Sequence, residues 1–240
     1  MAKQEYICHV TRFNWLTPSV FELHFKPHSE LTFLAGQFVS IIIPGKGPNG
    51  RDLRRAYSIA SAPQDENIEL CVKLVENGPG TNYLKSLGDQ PNAEFKCVAP
   101  YGTFILKTEK DRIPYFIATG TGIAPFRSMI KETSFFDNFK NSHCTLGVRE
   151  EEELLYTDEL RNYSKLTYNA CVSRPKKTLD PTFQHKGRVT DFLKDQLPTL
   201  PIDKMDFYLC GNGAMITEIK SILQNANVQK ENIHQEVYYK

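Results

Sequence analysis

Residues 113–125 read IPYFIATGTGIAP, and this stretch defines the second half of the chain. Ile113 to Ala118 is apolar without alternation, which is typical of a strand buried on both faces of a sheet. Gly120 and Gly122 follow, and Pro125 suits the first turn of a helix. Glycines at such a junction let backbone amides approach a pyrophosphate. The stretch predicts an α/β domain that opens with a dinucleotide loop; the alternative is a tight turn that binds nothing.

Strand and helix patterns alternate from residue 113 onward, which indicates a parallel α/β sheet. The predicted strands are 113–118, 143–148, 166–172 and 207–210, and the predicted helices are 125–132, 154–163, 189–197 and 214–226. We expect a five-stranded parallel sheet in a C-terminal domain of residues 109–240.

The first half shows a different pattern, in which short strands alternate in polarity and turn residues separate them. Phe21, Leu23 and Phe25 alternate with Glu22 and His24, which predicts one buried and one exposed face. The predicted strands are 6–13, 21–25, 38–43, 54–60, 68–74, 94–98 and 104–106, with a short helix at 81–87. These residues predict an antiparallel Greek-key β-barrel domain spanning 1–108.

The composition is that of an ordinary globular protein: 40% of the 240 residues are hydrophobic, 24% are charged, and the net charge is +1. So small a net charge argues against a nucleic-acid or anionic membrane partner. No export signal and no membrane-spanning apolar run is evident, so we expect a cytoplasmic protein. The six cysteines are dispersed and match no zinc or iron–sulfur spacing, so we expect reduced thiols and no metal.

The stretch Arg55-Ala56-Tyr57-Ser58 combines charge, aromatic ring and hydroxyl on a predicted strand. Arg55 and Tyr57 share one face because alternate strand residues point the same way. A guanidinium beside a ring suits a ligand with a phosphate at one end and a flat ring at the other. The alternative is a polar edge strand.

Further candidate sites follow strands or precede helices. Gly78-Pro79-Gly80-Thr81 precedes a helix and is a second anion-binding candidate, or else a hairpin loop with Thr81 as N-cap. Cys210-Gly211 ends an α/β strand, where ligands of parallel sheets bind. Ser173-Arg174 ends another, and with Lys176 and Lys177 it could hold a phosphate or form a solvated basic loop.

In their order along the chain, these motifs resemble the ferredoxin–NADP(+) reductase family. Residues 55–58 match its R-x-Y-S flavin motif, residues 78–81 its G-x-x-S/T pyrophosphate motif, and residues 120–125 its G-T-G-I-A-P nucleotide loop. Residues 208–211 resemble its Y-x-C-G segment, 172–174 its V-S-R stretch and 235–238 its V-E-V-Y end. The resemblance covers nearly the whole chain.

The resemblance implies a non-covalently bound FAD. Tyr57 would stack on the isoalloxazine, Arg55 would reach the pyrophosphate, and Ser58 would hydrogen-bond near N5. The implied flavin-binding residues are Arg55, Ala56, Tyr57, Ser58, Cys71, Val72, Lys73, Gly78, Gly80, Thr81 and Tyr238. Tyr238 would cover the other flavin face, although Tyr239 and Lys240 follow it here, so either tyrosine is a candidate for that role.

The resemblance also implies an NADP(H) site. Cys210 and Glu236 would lie beside the nicotinamide, and together with Ser58 they are the implied catalytic residues. Ser173 and Arg174 would contact the 2′-phosphate. The implied nucleotide-binding residues are Gly120, Thr121, Gly122, Arg149, Ser173, Arg174, Cys210 and Gly211.

The implied activity is hydride exchange between NADP(H) and FAD, with single electrons passed to or from a separate ferredoxin or flavodoxin. A separate carrier is expected because the sequence holds no iron–sulfur ligand set. Two alternatives stay open at this point: an NADH-dependent reductase component of an oxygenase, and an electron-conduit subunit that does not bind nicotinamide.

Overall fold

The computed structural model describes residues 3–90, 92–107 and 111–238, which fold into two compact units. The first unit contains the chain up to Leu106 together with Ala124–Glu132. The second contains Lys107–Ile123 and the chain from Thr133 onward. The predicted boundary between residues 108 and 109 lies outside the described residues and stays a prediction.

The first unit is a six-stranded antiparallel barrel. Its strands are β1 (Gln4–Thr17), β2 (Val20–Pro27), β3 (Phe38–Ile43), β4 (Leu53–Ser58), β5 (Ile68–Lys73) and β6 (Glu94–Tyr101). They are ordered β4-β3-β6-β1-β2-β5, and an antiparallel bridge from Ile59 to Leu70 brings the two edges together. Neighbours distant in sequence, such as β3 and β6, give the predicted Greek-key arrangement.

Two residues of β2 depart from the predicted alternation. Phe21, Leu23 and Phe25 face the core as expected and are fully buried. Glu22 and His24 should point to solvent, yet they are only 6% and 8% exposed. They are buried because the helix α2 (Ala124–Lys131) packs in this unit and supplies Arg127 as an ionic partner.

Helix α2 is held in the first unit by polar contacts to the segment after β4. Arg127 Nη1 donates to the Ala60 carbonyl at 3.1 Å, and Ser128 Oγ donates to the Ser61 carbonyl at 2.5 Å. The same guanidinium pairs with Glu69 of β5. The helix therefore packs with the barrel although it follows the first strand of the second unit in sequence.

The second unit is a parallel α/β sheet. Its strands are β7 (Ile113–Thr119), β8 (Ser142–Val148), β9 (Leu166–Val172), β10 (Gln184–Lys186), β11 (Met205–Gly211) and β12 (Ile233–Val237). They are ordered β10-β9-β8-β7-β11-β12, and every neighbouring pair is parallel. The predicted parallel sheet is confirmed, with six strands instead of five because short β10 and C-terminal β12 extend its edges.

The helices outside α2 are α1 (Pro79–Gly88), α3 (Phe135–Asn138), α4 (Thr157–Arg161), α5 (Val189–Gln196) and α6 (Gly213–Asn225). The predicted helix at 154–163 was too long. Glu151–Glu153 form a separate 3₁₀ turn, and Tyr156 adopts a left-handed conformation with φ 56° that prevents a continuous helix.

Two further findings concern segment 104–106 and the cysteines. The predicted strand at 104–106 is irregular, although Phe104 is buried. All six cysteines are buried thiols outside any disulfide. Among the described residues, no helix is long and apolar enough to cross a membrane.

Candidate functional sites

Gly80 brings the two predicted flavin-binding segments together in the first unit. A Cβ built on Gly80 would lie 2.6 Å from the Tyr57 hydroxyl oxygen and 3.0 Å from Arg55 Cγ. The first turn of α1 therefore packs directly on one face of β4. We call Arg55, Tyr57 and Gly80 the Gly80 cluster; a Cβ at Gly80 would displace the Tyr57 hydroxyl or the first turn of α1.

The start of α1 presents backbone amides next to this cluster. The first helical hydrogen bond runs from Asn82 N to the Gly78 carbonyl at 3.0 Å, so the amides of Gly80 and Thr81 precede it. Gly78 is the N-cap, not Thr81. The Thr81 hydroxyl instead accepts from Val75 N at 3.1 Å, which shapes the loop before the helix. Free amides and a helix N-terminus are suited to an anion.

Tyr57 is a half-buried neutral phenol. Burial raises its pKa to about 12, and the positive charge of Arg55 opposes that rise. Ala56 is exposed and Ser58 is buried, although both lie on the face of β4 opposite to Arg55 and Tyr57. The flavin candidates Cys71, Val72 and Lys73 end β5, which meets the chain after β4 at the Ile59–Leu70 bridge. The flavin-binding candidates of β4 and β5 therefore lie on strands that adjoin each other in the barrel.

The predicted nucleotide loop lies against the end of β11 in the second unit. A Cβ on Gly122 would lie 2.7 Å from the carbonyl carbon of Cys210. Gly211 has φ +133°, and a Cβ there would lie 3.0 Å from Thr119 N. We call this region, Thr119–Gly122 packed on Cys210–Gly211, the glycine crossing. Only glycines allow the two backbones to approach so closely.

Thr119 and Asn212 were missed as site residues by sequence reasoning. Asn212 N donates to Thr119 Oγ1 at 3.0 Å, and the Asn212 side chain accepts from Ala214 N at 2.9 Å as the N-cap of α6. These bonds hold the loop after β11 against the end of β7. The sequence signal that could have identified Thr119 was its position directly before Gly120, the first glycine of the predicted nucleotide loop.

The C-terminal residues lie beside Cys210. Glu236 is opposite Cys210 in the β11–β12 register. Tyr238 OH donates to the Thr121 carbonyl at 3.3 Å, and Tyr238 N donates to the Gly211 carbonyl at 3.3 Å. Tyr238 thus contacts the nucleotide loop. Tyr239, the other candidate for the stacking ring, lies outside the described residues.

Cys210 is a neutral thiol. Burial and the negative charge of Glu236 raise its pKa well above the ordinary value, and a hydrogen bond with Tyr238 opposes this only in part. A thiol of this kind is not an activated nucleophile. The structure brings the predicted catalytic pair Cys210 and Glu236 together, while the third predicted catalytic residue, Ser58, belongs to the first unit.

Arg149, Ser173 and Arg174 meet where β8 and β9 end. Arg174 N donates to the Arg149 carbonyl at 2.7 Å, and Ser173 N donates to the Val148 carbonyl at 3.1 Å. Both arginine side chains are exposed. Carboxyl ends of parallel strands are where α/β sheets bind ligands, so this position agrees with the prediction of a nucleotide contact.

A buried ionic cluster in the first unit was not predicted. His24 Nε2 and Glu22 Oε2 are 2.8 Å apart, and Arg127 Nη1 pairs with Glu69. Ligand atoms of Glu22, His24 and Glu69 lie within 4.8 Å of one another, as in a metal site. Arg127 already provides the positive charge that an ion would bring, so the group is an ion-pair network.

Comparison with known proteins assigns both halves of the chain. Residues 5–105 match the family model for an oxidoreductase FAD-binding domain, and residues 116–221 match that for an oxidoreductase NAD-binding domain. A ferredoxin–NADP reductase of Azotobacter vinelandii is 31% identical over 230 residues, covering 85% of this chain and 83% of that protein. The chain belongs to the ferredoxin–NADP reductase family.

Other members of the family differ in role. The electron transfer component of a toluate 1,2-dioxygenase from Pseudomonas putida is 27% identical, over 95% of this chain and 66% of that protein. A crystal structure of a Neisseria gonorrhoeae ferredoxin NADP+ reductase with bound FAD and NADP has a TM-score of 0.83 at 20% identity and covers 99% of each chain. The fold and the two cofactor-binding domains of this flavin oxidoreductase family are therefore confirmed.

Proposed function

We propose that this chain is a ferredoxin/flavodoxin–NADP(+) reductase. It would exchange hydride between NADP(H) and bound FAD and pass single electrons to or from a separate ferredoxin or flavodoxin. One observation carries the proposal: in each cofactor-binding domain, two family motifs pack against each other at a glycine. They do so at the Gly80 cluster in the first unit and at the glycine crossing in the second. The relatives named as ferredoxin–NADP reductases support the choice of carrier.

The residues of the first unit fit FAD. When bound, the flavin supplies the step between two-electron and one-electron transfer, because it is stable at both levels of reduction. Arg55 would bind the pyrophosphate as a bidentate cation, and the amides of Gly80 and Thr81 would donate to it. Gly78 would allow the chain to enter that turn. Tyr57 would pack its neutral ring on the isoalloxazine.

The remaining flavin residues would line the ring system. Ser58 would donate a hydrogen bond near N5 and so orient the ring. The backbone from Ala56 and from Cys71 to Lys73 would form the walls of the site, with the Lys73 ammonium near the phosphates or ring carbonyls. Each role is an assignment from the family motif to the matching position in this chain.

The second unit would bind the nicotinamide nucleotide. Gly120, Thr121 and Gly122 would donate amides to its pyrophosphate, with Gly211 allowing the close approach of Thr119 that positions this loop. The neutral Cys210 thiol and Glu236 would contact the nicotinamide, and Tyr238 would cover the other face of the flavin ring. Arg149, Ser173 and Arg174 would hold the adenosine end and its 2′-phosphate.

The donor is tested by steady-state rates with NADPH and NADH, using ferricyanide as acceptor. We expect the larger kcat/KM with NADPH because Arg174 and Arg149 are exposed cations at the strand ends. A preference for NADH of about tenfold, equivalent to about 1.4 kcal/mol, would overturn the choice of donor.

A second candidate is the reductase component of an oxygenase. The observation that favours it is the toluate 1,2-dioxygenase electron transfer component, which matches 95% of this chain. Coupling the purified protein to a ferredoxin, a flavodoxin and a dioxygenase separates the two candidates. Turnover with ferredoxin or flavodoxin but not with the oxygenase supports the ferredoxin/flavodoxin reductase. Turnover with the oxygenase but with neither carrier supports the second candidate.

A further inference from the structure

Two loops at the carboxyl end of the parallel sheet are joined by ionic contacts. The acidic loop (Glu150–Glu153) follows β8, and the basic loop (Arg174–Lys177) follows β9. Glu150 Oε2 and Lys176 Nζ are 2.6 Å apart, and Lys176 N donates to Glu151 Oε2 at 3.0 Å. A backbone hydrogen bond from Arg174 N to the Arg149 carbonyl joins the chain where the two loops begin.

The acidic residues have distinct tasks. Glu153 accepts from Arg149 N at 2.9 Å and completes a capping box with Glu150. Glu151 accepts a backbone amide of the basic loop, and this bond lowers the pKa of its carboxyl group. These two residues fix the loop conformation. Glu150 in addition neutralises a side chain, because its carboxylate pairs with the ammonium of Lys176.

This pairing matters for an anionic ligand. Arg149, Arg174, Lys176 and Lys177 would attract a phosphate, but four consecutive glutamates adjoin them. The segments 149–153 and 174–177 therefore carry as many negative as positive side chains. Glu150 also raises the pKa of Lys176, so the ammonium stays charged and paired with the Glu150 carboxylate. A phosphate arriving here must compete with Glu150 for Lys176.

We propose that Glu150 is a specificity-determining residue, which limits the preference for a 2′-phosphorylated nucleotide by pairing with Lys176. The inference rests on the proposed function, in which these strand ends receive the adenosine end of the nucleotide. Removing the carboxylate would release the Lys176 ammonium for the incoming phosphate. NADH has no group at this position, so its binding would change little.

The test compares Glu150→Gln with Glu152→Gln in the FAD-loaded protein. Glu152 is exposed in the same turn, so its replacement changes the net charge equally without breaking the Lys176 pair. Dissociation constants are measured by calorimetry for adenosine 2′,5′-bisphosphate and for AMP. We expect Glu150→Gln to bind the bisphosphate about threefold to tenfold more tightly than Glu152→Gln does, with AMP unchanged. The gain should shrink in high salt because the groups are exposed.

A double variant closes the test. Lys176→Met added to Glu150→Gln should abolish the gain, because the gain acts through Lys176. The proposal is overturned if the two glutamate variants bind the bisphosphate equally, or if the gain survives the loss of Lys176. If the wild-type protein binds neither the bisphosphate, nor AMP, nor NADPH, both the proposed function and this inference fail. If it binds all three, and the two glutamate variants bind the bisphosphate with equal affinity, only this inference fails.

Discussion

Gly80 packs so closely on Tyr57 that its missing side chain is a testable feature. In Gly80→Ala, the new Cβ would lie 2.6 Å from the Tyr57 hydroxyl oxygen and displace the ring or the first turn of α1. We expect the dissociation constant of FAD to rise about tenfold, equivalent to about 1.4 kcal/mol. Fluorescence titration of the apoprotein with FAD measures it.

The matched control for that experiment is Gly213→Ala. A Cβ on Gly213 would lie 3.6 Å from Val237 Cγ1, which is an ordinary contact. The control should bind FAD as the wild type does. Equal FAD affinity of Gly80→Ala and Gly213→Ala would contradict the role of the Gly80 cluster.

Tyr57 is predicted to act through its ring and not through ionisation. Because burial raises its pKa to about 12, the hydroxyl is protonated at all ordinary pH values. Tyr57→Phe should therefore retain FAD during gel filtration, while Tyr57→Ala should lose most of it. Flavin content per protein, read from the absorbance spectrum, is the measurement. Full retention by Tyr57→Ala would count against stacking.

Asp206 at the start of β11 makes the second unit sensitive to acid. It is 3% exposed, and Arg112 Nη2 donates to its Oδ1 at 3.0 Å. Burial would raise the pKa of Asp206, but the nearby His234 imidazole and the hydrogen bonds and positive charge of Arg112 outweigh burial and lower it. A lowered folded-state pKa gives stability that is present above the unfolded pKa of about 3.9 and is lost as the pH falls through the folded value.

Asp206→Asn should therefore lower the free energy of unfolding at pH 7 by about 1.5–3 kcal/mol. The difference from wild type should shrink as the pH falls below about 4, where Asp206 becomes neutral first in the unfolded chain, and should vanish below the lowered folded-state pKa. Urea unfolding across the pH range provides the values, with exposed Asp203→Asn as control. A difference that stays constant with pH would refute the ionic explanation.

At the level of whole elements, helix α2 depends on Arg127. Its guanidinium pairs with Glu69, lies 3.9 Å from Glu22 Oε1 and is only 7% exposed. Arg127→Met removes the positive charge beside the buried Glu22 and partly buried Glu69 carboxylates, so we expect a loss of about 3 kcal/mol in stability. The control is Lys131→Met on the same helix, which breaks the more exposed pair with Asp65 and should cost at most about 1 kcal/mol. Equal losses in thermal unfolding would contradict the assigned role of Arg127.

The sequence predicted most elements because their patterns are local. A continuous apolar run predicted β7, and alternation predicted β2 and β5. The failures have non-local causes. Short β10 is defined by pairing with β9, and the burial of Glu22 and His24 depends on Arg127, about a hundred residues away. Helix α4 begins only after Tyr156, whose left-handed backbone conformation is not signalled by its residue type.

The candidate sites were predictable to a similar degree. Order and spacing of the motifs indicated Arg55, Tyr57, Gly80 and Gly122, and the structure packs each against a predicted partner. The Glu150–Lys176 pair and the bond from Tyr238 to Thr121 could not be inferred. They depend on which loops lie side by side at the sheet edge, a property of the whole domain.

For the molecule as a whole, we propose that one chain both binds FAD and reduces it with a nicotinamide nucleotide. Both cofactor-binding domains are present, so the remaining question is whether they act together. Anaerobic titration of the purified, FAD-supplemented protein with NADPH, followed through the visible flavin absorbance, tests this most directly. We predict a yellow protein whose flavin band bleaches in proportion to added NADPH. A protein that stays colourless after FAD addition, or whose flavin band is unchanged by NADPH and NADH alike, would contradict the account.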